Sequence, residues 1–153
     1  MKIDLHTHST RSDGTMSPTE LVQHAIINDI SIMALTDHDT VAGWDEAAAA
    51  VRGEFQLVTG AEISCLTEDH RSIHMLGLLF DRSFQPLQDA LELSRDDRVP
   101  RMKKIIELMA ADGIKITYEE VLEHQPEGST LGRPHLADTL VAKGIVKTRD
   151  QAF

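Results

Sequence analysis

The sequence opens with the stretch DLHTH, residues 4–8, in which two histidines stand one residue apart. Ile3, Leu5 and Thr7 alternate with more polar side chains, and this alternation predicts a short β-strand. Because successive side chains of a strand point to opposite faces, His6 and His8 project from the same face. The stretch therefore predicts a first strand that ends in two neighbouring imidazoles.

The pattern continues from this strand as an alternation of helices and strands up to residue 80. Ser17, Pro18 and Glu20 predict a helix start with a capping box and proline at the first helical position. Apolar runs predict three further strands, over residues 30–39, 55–64 and 73–80, and a second helix lies between the first two of them. This order predicts an α/β fold with a mostly parallel sheet, open or closed into a barrel.

No convincing strand follows residue 80. Helices are predicted over about residues 84–98 and 101–112, with a break or kink at Pro100. We therefore predict two parts, residues 1–80 with the sheet and residues 81–153 as a separate helical region. Thr148 and Gln151 signal one more helix about a turn before the chain stops, so we expect a fragment of a longer protein.

Composition limits the classes of function. The net charge of −10 disfavours binding to nucleic acid by charge alone, although bound cations would allow an acidic protein to act on phosphates. No apolar run has the length of a membrane span, and the single cysteine excludes an internal disulfide, so the prediction is a cytoplasmic protein without a membrane partner. The sequence makes no prediction about oligomeric state.

Histidines and carboxylates gather at the predicted strand ends. Imidazole and carboxylate together suit Mn, Fe or Zn rather than calcium, and more than four such groups predict more than one ion. Taken singly, each has an ordinary explanation: a turn residue, a helix cap or a core histidine. Their shared position favours a metal centre made by six residues: His6, His8, Asp13, His38, Glu62 and His74.

Four segments carry a family resemblance: DLHTHSTRSDGTMSPTEL, ALTDHDTVAG, GAEIS and HMLGL. They resemble the PHP family, named for polymerase and histidinol phosphatase, and most closely its stand-alone metal-dependent phosphoesterases, which act on nucleoside 3′,5′-bisphosphates and RNA 5′ ends. The later stretch LGRPHLADTLVAKGIVKTRDQAF is similar to the helical insertion of that subgroup. The resemblance implies a distorted barrel of seven β/α units, of which this chain is the N-terminal part.

The resemblance also implies a cofactor of two or three divalent ions, with manganese expected and Fe, Zn or Mg as alternatives. The six residues match metal-ligand positions of the family, and Glu62, at the bridging position, is expected to serve catalysis with Asp13 and His38. The family uses a further His before a proline and an Asp-x-His pair, which would lie beyond residue 153. An inactive fragment is therefore one alternative.

The expected activity is hydrolysis of phosphomonoesters of nucleotides or short RNA or DNA ends, by hydroxide that the metal generates. Four residues are expected to bind the substrate phosphate: Arg98, Arg101, Arg133 and His135. The alternative for the arginines of residues 95–101 is a solvated helix face that pairs with Glu92, Asp96 and Asp97. Two other functions stay open, an amidohydrolase acting on C–N bonds and a structural or accessory domain like those attached to DNA polymerases.

Overall fold

A computed structural model describes residues 1–153. Its centre is one sheet of four strands in the order β1-β2-β3-β4, in which the first three run parallel and the last is antiparallel to β3. The strands are β1 Lys2–Thr7, β2 Ile30–Leu35, β3 Gln56–Leu66 and β4 Ser72–Leu78. The predicted mostly parallel α/β arrangement is confirmed.

Two helices connect the parallel strands: α1 Pro18–Ile27 and α2 Trp44–Ala50. The predicted start of α1 is confirmed, since the Ser17 side chain accepts from the Glu20 N–H and the Glu20 carboxylate accepts from the Ser17 N–H. The two helices and the sheet bury one mostly aliphatic core with two aromatic members: Val22, Ala25, Met33, Leu35, Trp44, Ala47, Ala50 and Phe55. This core holds in place the strands whose ends carry the predicted metal ligands.

The helical region contains α3 Gln85–Ala111, α4 Tyr118–Leu122, α5 Arg133–Ala142 and a 3₁₀ turn at Arg149–Ala152. It has its own apolar cluster: Met102, Ile116, Val121, Leu131, Leu136 and Leu140. None of the helices combines the length and the hydrophobicity that a bilayer span requires.

A break or kink was expected at Pro100, and the structure shows no break there. α3 continues through Pro100 as one helix of 27 residues. Proline removes one backbone hydrogen bond, but contacts on both sides of it hold the helix together. Arg95 and Arg98 bind the sheet on one side of Pro100, and Met102 is buried in the helical cluster on the other.

Candidate metal centre

The six predicted ligand residues meet at one edge of the sheet. His6 lies in β1 and His8 just after it, while His38 follows β2 and Glu62 lies in β3. Ser64 pairs with His74 across the antiparallel β3–β4 ladder, and Glu62 is two residues from Ser64, so the side chains of Glu62 and His74 share a face. The proximity of Glu62 and His74 follows directly from this register.

Glu62 is the hub of the arrangement. Its Oε2 lies 2.8 Å from Nε2 of His6 and 2.9 Å from Nε2 of His8. Its Oε1 lies 2.9 Å from Nδ1 of His74. Nδ1 of His38 lies 3.6 Å from Oε2 and is buried without a hydrogen-bond partner. One carboxylate therefore lies close to four imidazoles.

Asp13 extends the cluster on the other side of His38. Its Oδ1 lies 3.1 Å from Nδ1 of His8, and its Oδ2 lies 3.4 Å from Nε2 of His38. The donor atoms fall into three compact groups, each with atoms within 4.8 Å of one another: His6–His8–Glu62, His8–Asp13–His38 and His38–Glu62–His74. The residues that connect the groups are His8, His38 and Glu62.

These donors fit divalent metal ions. An ionised carboxylate only accepts hydrogen bonds, and a neutral imidazole offers a lone pair on one of its nitrogens. Two Nε2 atoms and a carboxylate oxygen that converge within 3 Å are thus held together only by protons or by a cation. Imidazole combined with carboxylate suits Mn, Fe or Zn. The ligand set agrees with a metal centre of more than one ion.

The electrostatics of the cluster follow from its mixed charges. Burial opposes the charged form of each group, but the pKa of Asp13 is held well below its usual value by hydrogen bonds from His38 and His8. Burial likewise opposes ionisation of Glu62, yet the His6 hydrogen bond and the nearby imidazoles lower its pKa. For His8, burial is outweighed by Asp13 and Glu62, so its pKa is raised.

Binding of a divalent ion is expected to weaken as the pH falls, because a ligand histidine must lose its proton first. Since the pKa of His8 is raised above about 6.5, proton competition at His8 begins above that pH. Asp13 and Glu62 have lowered pKa values and stay ionised over this range, so the decline reports on imidazoles. Zn²⁺ titrations between about pH 5.5 and pH 8.5 check this. A constant affinity would contradict the assignment of His8 as a ligand.

A cavity of about 400 Å³ opens beside the cluster. Asp13, His38 and His74 line it, together with three of the four residues predicted to bind phosphate: Arg98, Arg101 and Arg133. The structure thus brings these arginines and the predicted ligands to the same cavity, although they lie far apart in the sequence.

The fourth predicted phosphate residue lies elsewhere. His135 is only 3% exposed and does not line the cavity. Its Nδ1 accepts a hydrogen bond from the Gly132 N–H at 3.0 Å, at the start of α5. Burial lowers the pKa of His135, which favours its neutral form. The structure therefore places this imidazole as a cap of α5.

The arginines of the cavity wall differ in their partners. Nη2 and Nε of Arg98 donate to Oδ2 of Asp39 at 2.7 and 3.0 Å, and Nη2 also donates to Ser64. Arg101 has only a distant partner, with its Nη2 3.8 Å from Asp97. Arg101 therefore pairs with an acid of its own helix, as the alternative predicted. Arg98 instead pairs with Asp39, which follows β2, and with Ser64 of β3.

Sequence reasoning assigned no role to four buried polar residues in the segments that follow β1 and β2. They are Ser9, Ser12, Asp37 and Asp39, all at most 1% exposed. The signal that was available is the segment TDHD, in which two acids flank a predicted ligand. In the structure the Asp37 carboxylate accepts from Ser9 and Ser12, and the Asp39 carboxylate accepts from Ser64 and Arg98. The serines gave no signal, since Ser9 and Ser12 lie in a polar stretch that is typical of an exposed loop.

The comparisons with known proteins agree with this geometry. The PHP domain model matches residues 4–132. A 5′-3′ exoribonuclease of Haemophilus influenzae is 40% identical over 153 residues, which cover 99% of this chain and 55% of that protein. A 3′,5′-nucleoside bisphosphate phosphatase of Chromobacterium violaceum is 34% identical over 99% of this chain and 53% of that protein. The chain spans about half the length of the curated relatives it matches.

Two solved structures share the fold. A candidate metal-dependent phosphoesterase of Bifidobacterium adolescentis has a TM-score of 0.89 and 39% identity, covering 99% of this chain and 54% of that one. A Chromobacterium violaceum structure named as an amidohydrolase, with bound sulfate and no metal, has a TM-score of 0.89 and 32% identity, covering 100% of this chain and 54% of that one. The predicted α/β class, as part of a PHP barrel, is confirmed, and the chain belongs to the PHP domain family.

Proposed function

We propose that this chain carries the metal centre of a metal-dependent phosphoesterase that hydrolyses phosphomonoesters of nucleotides or short oligonucleotides. The observation that carries the proposal is one cavity lined both by predicted metal ligands and by arginines. Its lining includes three residues of the cluster and three arginines: Asp13, His38, His74, Arg98, Arg101 and Arg133. Ligands for cations and guanidinium groups in one cavity suit a phosphate that must be neutralised and oriented.

Each group of residues has a distinct part in this proposal. His6, His8, Asp13, His38, Glu62 and His74 would hold two or three divalent ions, with manganese as the expected metal. Bound there, such ions would lower the pKa of a water and stabilise negative charge on the phosphoryl oxygens. Glu62 would hold its three closest imidazoles around one carboxylate, and Asp13 would orient His8 and His38.

Arg101 and Arg133 are the cations best placed to bind the substrate. The side chain of Arg101 is 52% exposed, and its single acidic neighbour is distant. Arg133 begins α5, and its guanidinium lies over the ring of Phe153. Because a planar guanidinium can bind two phosphate oxygens at once, both residues would orient the ester against the metal ions. Arg98 would contribute mainly through the structure of the wall.

The nucleotide part of the proposal is supported by the relatives. One is named as an exoribonuclease and another as a nucleoside bisphosphate phosphatase. The sulfate in the Chromobacterium violaceum structure is an oxoanion with the shape of phosphate.

We also propose the division into residues 1–80, with the metal ligands, and residues 81–153, a helical insertion. The separate apolar clusters of the two parts support this division.

A second candidate function is hydrolysis of C–N bonds, because one solved structure with 32% identity is named as an amidohydrolase. A metal centre of imidazoles and carboxylates would serve either reaction. The arginine wall favours the phosphoesterase, since a neutral amide offers no anion for Arg101 and Arg133 to bind.

The test measures bound metal and then turnover. After dialysis against Mn²⁺ and then metal-free buffer, elemental analysis is expected to find two or more ions per chain. The loaded protein is then assayed on a nucleoside 3′,5′-bisphosphate, a 5′-phosphorylated oligonucleotide and a matched panel of amides. We expect Mn²⁺-dependent release of phosphate, with KM raised about tenfold by Arg101→Ala. Turnover of amides alone, or no bound metal, would contradict the proposal.

A further inference from the structure

A buried carboxylate next to the metal centre hydrogen-bonds to none of the predicted ligands. Asp37 follows β2, and its side chain accepts three hydrogen bonds of 2.7 Å. The donors are the Ser9 N–H, the Ser9 hydroxyl and the Ser12 hydroxyl. All three residues are at most 1% exposed. A charge that is buried and fully satisfied in this way holds its neighbours in one arrangement.

The protons of this group can be assigned from its chemistry. An ionised carboxylate only accepts hydrogen bonds. Ser12 must therefore be the donor in its hydrogen bond to Asp37, and its single hydroxyl proton points to that carboxylate. The lone pairs of Ser12 Oγ are then free, and this oxygen lies 3.3 Å from Nδ1 of His8. Asp13 Oδ1 lies 3.1 Å from the same nitrogen. Nδ1 of His8 therefore faces two acceptors.

We propose that Asp37 and Ser12 form a positioning relay that keeps the proton of His8 on Nδ1 and presents the Nε2 lone pair of His8 to the metal. In the neutral imidazole only one nitrogen carries a proton. Nε2 lies 2.9 Å from Glu62 Oε2, on the side where the group His6–His8–Glu62 converges, and an ion held there would take the Nε2 lone pair. The proton of the neutral ring is then left to Nδ1, where the two acceptors hold it. The relay rests on the metal centre of the proposed function.

The chain offers a matched control for this relay. The hydroxyls of Ser9 and Ser12 are equally buried and donate to the same carboxylate at the same distance, 2.7 Å. The Ser9 hydroxyl accepts from the Arg11 N–H rather than from a histidine ring. Replacing either serine by alanine removes its hydrogen bond to Asp37 and the contact that its oxygen accepts, but only Ser12→Ala removes an acceptor from Nδ1 of His8.

The experiment compares Zn²⁺ affinity, thermal unfolding and the imidazole NMR spectrum of the wild-type, Ser12→Ala and Ser9→Ala chains. We expect similar unfolding temperatures for the two metal-free variants. Ser12→Ala is expected to lower Zn²⁺ affinity about tenfold, and Ser9→Ala less than about threefold. The Nδ1 proton signal of His8 in the Zn²⁺-loaded chain is expected to persist in Ser9→Ala and to shift or exchange away in Ser12→Ala.

Asp37→Asn provides a second variant that retains the shape of the side chain. An amide nitrogen would replace one accepting oxygen, so Zn²⁺ affinity is expected to fall by the same order as in Ser12→Ala. Equal affinities for Ser12→Ala and Ser9→Ala, with an unchanged Nδ1 signal, would overturn the relay while the metal centre stands. A wild-type chain that binds no Zn²⁺ would overturn the metal centre itself and the relay with it.

Discussion

Replacing Glu62 by glutamine is expected to remove at least one bound ion and to lower kcat/KM by about 10³-fold, or ~4 kcal/mol of transition-state stabilisation. Glutamine has the size of glutamate but lacks its charge. The carboxylate oxygens of Glu62 lie within 3 Å of His6, His8 and His74, and Glu62 belongs to two of the three compact donor groups. An amide in this position would offer one weaker oxygen ligand and an N–H donor that competes with the metal.

Elemental analysis and phosphate-release kinetics of Glu62→Gln would measure both effects. Glu46→Gln is a matched control, because Glu46 also has a lowered pKa and a charged partner, Arg11 at 2.8 Å, but lines no part of the cavity. It is expected to retain full metal content and activity. If Glu62→Gln kept the wild-type number of ions and turned over at the wild-type rate, Glu62 would not be the shared carboxylate of the centre.

The clustering of the predicted ligands could be predicted from the sequence because it follows from strand periodicity. His6 and His8 share a face by alternation, and parallel strands bring their carboxyl ends to one edge. Placing His74 beside Glu62 required only that β3 and β4 be antiparallel, which a short connection between two strands favours. Each of these inferences depends on local patterns and on one rule of sheet topology.

The partners of the arginines could not be predicted in this way. Helical spacing suggested that the arginines of residues 95–101 pair with Glu92, Asp96 and Asp97, yet Arg98 reaches Asp39, which is 59 residues away. Nothing in the local sequence of α3 identifies an acid in a turn after β2 as its partner. The same limit applies to Pro100, because long-range contacts on both sides of it outweigh its intrinsic tendency to break a helix.

Replacing Arg98 by alanine is expected to destabilise the protein by about 3 kcal/mol, because it leaves a buried charge without its partner. The side chain of Asp39 is 0% exposed and that of Arg98 only 14%. The guanidinium places two N–H groups on Oδ2 of Asp39 and another on the Leu131 carbonyl, so it ties α3 to the sheet and to the start of α5. Urea unfolding of the metal-free chain would measure the loss.

Arg101→Ala is the matched control, three residues along the same helix. Its guanidinium is half exposed and 3.8 Å from Asp97, so its removal is expected to cost less than about 0.5 kcal/mol.

Arg98→Lys separates charge from geometry, since lysine keeps the charge but cannot form the fork of hydrogen bonds. Its free energy of unfolding is expected to lie between those of the wild type and Arg98→Ala. We therefore expect the two arginines to separate: Arg98→Ala lowers the free energy of unfolding, whereas Arg101→Ala raises KM at unchanged stability. Equal unfolding free energies for the two alanine variants would show that the Arg98–Asp39 pair does not hold α3 to the sheet, and Arg98 would then be as free as Arg101 to bind the substrate.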